Sequence, residues 1–91
     1  YYQEPYFQAA SGGSAVPLPA AKVYFIIVQN LSATASLQVT HTPFGSSASS
    51  TIYGPGGLCI LFDTSETGQG FSALTLTGQG GTVQAFVMVG A

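Results

Sequence analysis

From residue 22 onward the chain alternates short apolar runs with glycine- and serine-rich breaks. Residues 23–28, Val-Tyr-Phe-Ile-Ile-Val, are β-branched and aromatic, and the run ends at Asn30. Residues 36–40 alternate, with Leu37 and Val39 on one side and Ser36, Gln38 and Thr40 on the other. Residues 51–53 are short and stop at Gly54-Pro55-Gly56-Gly57, a strong turn signal. Residues 58–62 form a second apolar run, followed by the polar loop 63–70. Residues 71–77 alternate with Leu74 and Leu76 inward, and Gly78-Gln79-Gly80-Gly81 turns into residues 82–89. Turns recur about every 8–12 residues and no segment carries a 3.6-residue period, so the pattern predicts six strands in an all-β sandwich or small barrel.

Two of these strands are apolar on both faces. Residues 82–89 place Val83, Ala85, Val87 and Val89 on one face, with Phe86 and Met88 on the other. Residues 23–28 leave Phe25 and Ile27 on a second apolar face. A two-layer sandwich buries only one face of each sheet. Phe25, Ile27, Phe86 and Met88 are therefore expected to be covered by something else, the arm, a neighbouring subunit or a larger host, with burial between molecules preferred to cover by the chain's own loops.

Residues 1–21 read differently. Tyr1, Tyr2, Tyr6 and Phe7 cluster at the start, Ala-Ala-Ser-Gly-Gly-Ser-Ala follows, and Val16-Pro17-Leu18-Pro19 favours extended backbone. The expected organisation is an extended N-terminal interaction arm, residues 1–21, attached to a β-sandwich domain, residues 22–91. Such an arm reaches about 70 Å when extended, against a radius of gyration of ~11 Å for the body. Tyr1, Tyr2, Tyr6, Phe7, Val16 and Leu18 are its expected anchors on a partner, and removing residues 1–15 is expected to leave the body folded.

Charge narrows the function classes. The chain has 91 residues, with Lys+Arg 1 and Asp+Glu 3, a net charge of −2, and 4% charged residues in all. One basic residue cannot neutralise a phosphate backbone or form a polybasic membrane patch, so no nucleic acid and no membrane partner is expected. The apolar runs are far shorter than the ~20 residues of a spanning helix. No basic stretch leads into an apolar one near the start, and a chain opening on Tyr1 implies processing or omission upstream.

The candidate chemistry is thin. Cys59 is the single cysteine and lies in an apolar run, which excludes an intrachain disulfide and reads as a small buried thiol. His41, Asp63 and the many serines lack a nucleophile elbow, and His41 reads as a residue at a strand end. Asp63 and Glu66 share one loop without the spaced ligands of a calcium site, and Glu4 lies on the arm. Asn30-Leu31-Ser32 matches a glycosylation sequon, although an Asn closing a strand is the plainer reading. Tyr24, Phe44 and Tyr53 could serve a sugar site only if brought together. No cofactor, metal or enzymatic activity is expected.

An aromatic arm on residues 1–21, the apolar run 58–62 after Pro55-Gly56-Gly57, and the closing pair 71–77 and 82–89 in a charge-poor chain resemble the small decoration (cement) proteins of tailed bacteriophage capsids. That resemblance implies a jelly-roll-like sandwich and a homo-oligomer, trimeric for preference. It also implies attachment to a host lattice such as a major capsid protein on the virion exterior. Two alternatives stand beside it: a donor-strand subunit of an extracellular filament or pilus, and a lectin-like binding module.

Overall fold

The alternating runs do pair as strands, and the way they pair defines the architecture. A computed structural model describes residues 2–18, 23–62 and 70–90. Its strands are β1 (Tyr2–Ala9), β2 (Ser14–Ala15), β3 (Phe25–Asn30), β4 (Leu37–Pro43), β5 (Ser49–Tyr53), β6 (Leu58–Phe62), β7 (Phe71–Gly78) and β8 (Val83–Gly90). β1 pairs with β8, β2 with β7, β3 with β6 and β4 with β5, all antiparallel. The chain is thus one long hairpin folded over on itself. Further pairing of β3 with β8 and β4 with β7 closes two four-stranded sheets, ordered β1-β8-β3-β6 and β2-β7-β4-β5. This is the jelly-roll order, and the expected all-β sandwich is the fold.

Alternation supplies the core. Ile26 and Val28 of β3, Leu37 and Val39 of β4, Leu74 and Leu76 of β7, and Val83, Ala85, Val87 and Val89 of β8 are all buried between the sheets. Each of these side chains other than Ala85 contributes about 1.5–3 kcal/mol by leaving water. β3 starts two residues later than the sequence pattern suggests. Val23 instead bridges to Phe71 of the opposite sheet, where the chain crosses between layers. β5 begins in serines that no propensity favours, because β4 receives it: Thr40 Oγ1 and Ser50 Oγ lie 2.8 Å apart across the pair.

The arm is extended, as expected, but it does not stand apart from the body. β1 and β2 are the first two strands of the jelly roll, and Ala9 and Val16 belong to the buried core. The division into residues 1–21 and 22–91 thus runs through the sandwich itself, with β1 paired to β8 and β2 to β7. The linker-like Ala10-Ser11-Gly12-Gly13-Ser14 forms a corner between the sheets: Gly13 N–H donates to the Ala10 carbonyl at 3.0 Å and Ala10 N–H to Ser14 Oγ at 3.0 Å. A surface of 4793 Å² and a Cα radius of gyration of 12.3 Å agree with this. A compact chain of this length is expected at roughly 5,000 Å² and about 12 Å with no projecting segment.

Two connections orient the surface described next. Between β5 and β6, Gly57 N–H donates to the Gly54 carbonyl at 2.9 Å, with Pro55 and Gly56 (φ 76°) at the centre. Proline followed by a residue with positive φ is the type II turn, and here it carries the chain from one sheet to the other. Asn30, at the end of β3, is buried and clasps that turn from the side: its Nδ2 donates to the carbonyls of Ala35, Tyr53 and Gly54 at 2.8, 3.2 and 3.1 Å.

Candidate interaction surface

The two outer faces of the sandwich are unlike. In the second sheet, β4 and β7 turn Gln38, Thr40, Thr75 and Thr77 outward, with Ser50 of β5 beside Thr40; Ile52 of β5, opposite Gln38 and 58% exposed, is the apolar exception on this face. In the first sheet, the outward residues of β3, β6 and β8 are mostly apolar. Phe62 lies opposite Phe25, and Ile27 lies between Ile60 and Met88. Gln29 lies between Leu58 and Phe86 and is the polar inclusion. The Phe25 ring is drawn down over Gly90, where a Cβ would fall 2.5 Å from its edge. Gln84 and Gln8, paired across β8 and β1, bound the apolar area at one end.

The four residues expected on a second apolar face, Phe25, Ile27, Phe86 and Met88, are thus brought together on one surface. All four are half-buried. The sequence reading missed the three that complete it. Leu58, Ile60 and Phe62 are 53%, 51% and 65% exposed. The signal was available, since Cys59 and the residues either side of it must alternate; with Cys59 buried at 3% exposure, its neighbours point out.

The expected arm anchors mostly seat in their own chain. Tyr2 and Phe7 face β8 at Val89 and Ala85 and pack against the core, Leu18 packs there too, and Val16 is buried. Tyr6 differs, at 66% exposure, because Pro5 and Tyr6 form a bulge that shifts the register between Glu4 and Phe7. An edge-strand bulge is where a proline, lacking the N–H, is tolerated. Tyr1, Lys22, Asp63 and Glu66 lie outside the described residues, so the calcium reading of the loop is not addressed.

The remaining candidates fall into structural roles. Cys59 is buried, and its hydrogen bond to Tyr53, followed by burial, raises the phenol above its ordinary range despite an opposing bond from Thr51. Burial and then the Glu4 carboxylate do the same to Tyr2. His41 meets Phe71 edge-on, with ring centroids 5.8 Å apart. Tyr53 packs toward the core while Phe44 sits exposed beyond the other end of β5, so these two aromatics are not brought together. Asn30, the sequon residue, has its amide spent on three carbonyls.

No family model, curated protein or solved structure matches this chain. The functional reading therefore rests on the surface itself.

Proposed function

We propose that the protein is a non-enzymatic structural subunit that associates with further copies of itself to build or reinforce a larger protein assembly. Capsid decoration on a virion exterior is the form of that role the sequence suggests. One observation carries the reading: the apolar outer face of the first sheet, set against a second sheet whose outer face is polar apart from Ile52. Contiguous exposed apolar surface on a small domain marks a site of association. Glu4 is the one charged side chain among the described residues, so the partner surface has little to recognise by charge. A second copy, equally apolar and charge-poor, fits that requirement. The complete eight-strand pairing leaves no vacant strand position between existing strands, so nothing here favours the donor-strand reading over this one.

The test is the solution mass of the full chain, by light scattering across a concentration series. The wild type is expected to run as an oligomer. Met88→Glu, which places a carboxylate on the apolar face beside Ile27 without entering the core, is expected to weaken association at least tenfold while leaving the circular dichroism unchanged. A wild type that stays monomeric at about millimolar concentration, beyond the range of any specific contact worth ~4 kcal/mol, overturns the proposal.

A further inference from the structure

The apolar face ends at β6, and the edge of β6 is itself a second feature. β3 flanks it on one side, and no described strand flanks it on the other. The ladder phase shows what that edge presents. Asn30 N–H donates to the Gly57 carbonyl at 2.9 Å, and Leu31 N–H to the Gln84 carbonyl at 3.0 Å. In an antiparallel ladder, hydrogen-bonded pairs alternate with non-bonded ones. Counting back along the register, Val28–Cys59 and Ile26–Leu61 bond inward to β3. The backbone N–H and C=O groups of Leu58, Ile60 and Phe62 therefore point off the sheet, and the same residues hold their side chains on the apolar face.

The other three edges are protected or unsuited to pairing. β1 carries Glu4, Pro5 and a bulge, β2 is two residues long, and β5 is largely serine and threonine. Edge charges, prolines, bulges and shortness are the devices that stop strands from pairing between molecules. β6 has none of them.

We propose that a second copy of the chain joins here, β6 to β6, antiparallel across a two-fold axis at Ile60. This deepens the structural-subunit reading and rests on it. The strand is self-complementary about that point: Ile60 meets Ile60, and Leu58 meets Phe62 in both directions. No charge lies in the strand to oppose the pairing. Each of the three pairs exchanges two backbone bonds, about six in all. The joint makes one continuous eight-stranded sheet, and the apolar faces of the two copies become one surface twice as wide. The contact is isologous, so it closes as a dimer and not as a three-fold ring.

Cysteine cross-linking of the full chain, in a Cys59→Ala background, tests the register. Ile60→Cys puts two thiols on directly opposed residues, whose Cα separation of ~5.5 Å suits a disulfide. Phe62→Cys puts its two thiols four residues out of line, ~13 Å apart. The expected result is a covalent dimer from Ile60→Cys under mild oxidation and none from Phe62→Cys. Ile60→Pro removes an outward donor at an edge position where proline is tolerated. It is expected to raise the dimer dissociation constant at least tenfold with little change in the circular dichroism. A wild-type oligomer that gives no Ile60 cross-link and is unaffected by Ile60→Pro overturns the edge contact and leaves the apolar-face reading intact, as does a strictly trimeric mass. A monomeric wild type overturns both.

Discussion

Asn30 ties two corners of the molecule together. Its Nδ2 donates to the carbonyl of Ala35 before β4 and to those of Tyr53 and Gly54 where β5 runs into its turn, and its Oδ1 accepts from Ser32 N–H at 2.9 Å. No buried side-chain nitrogen or oxygen among the described residues lacks a partner. Asn30→Ala takes the amide away from three carbonyls, of which Gly54 keeps the Gly57 N–H, and the expected loss is about 2–3 kcal/mol in urea unfolding. The same burial means the folded chain does not offer this asparagine for glycosylation. The tyrosines give a pH signature. The folded state raises both Tyr2 and Tyr53 above the ordinary value of 10.0, so folding favours the protonated phenol. Their contribution is complete below about pH 10 and is lost as pH climbs through the raised values. Unfolding free energy measured at about pH 8 and pH 11 is expected to fall between the two, and the Tyr2→Phe, Tyr53→Phe double variant is expected to fall less.

At the scale of elements, β1 and β2 decide whether the rest is a domain. β1 covers the outer edge of β8, whose inward residues Val83, Ala85, Val87 and Val89 are completely or almost completely buried. Removing residues 1–15 takes away both strands, the buried Ala9, and the Phe7 and Tyr2 side chains packed on the core. The remainder is expected to lose cooperative unfolding in thermal melts followed by near-ultraviolet circular dichroism. A sharp transition retained by residues 16–91 would restore the view of an arm separable from its body.

Over the whole molecule the asymmetry between the outer faces matters more than any single patch. Both faces belong to strands of similar length in the same sandwich, and neither has charge to spare. One is threonine, serine and glutamine with a single isoleucine, Ile52, and the other is phenylalanine, isoleucine, leucine and methionine with a single central glutamine, Gln29. The natural companion to Met88→Glu is thus Thr75→Glu, the same carboxylate on the opposite face, which is expected to leave the solution mass unchanged. A chain with 4% charged residues depends on covering apolar surface to stay out of trouble. The proposed association through the apolar face and the β6 edge would provide that cover with contacts that salt barely screens.

The sequence by itself determined what depends on local periodicity. Period-two alternation in residues 36–40, 71–77 and 82–89 identified Leu37, Val39, Leu74, Leu76 and the valines of β8 as inward. The excess of apolar residues in two strands announced a second face containing Phe25, Ile27, Phe86 and Met88. Pro55-Gly56 named its own turn, because proline and a positive-φ glycine have few other uses in that order. Only the tertiary structure decided which edge each strand occupies, because strand pairing links residues up to 87 positions apart, as Tyr2 with Val89. Nothing local in Tyr-Gln-Glu-Pro-Tyr-Phe says that β8 needs a partner, and so an edge strand read as a free arm. Nothing local in Leu-Cys-Ile-Leu-Phe distinguishes a central strand, with both backbone sides paired, from an edge strand with one side free. That difference is non-local, and it turns an ordinary apolar run into the surface on which the function is proposed to rest.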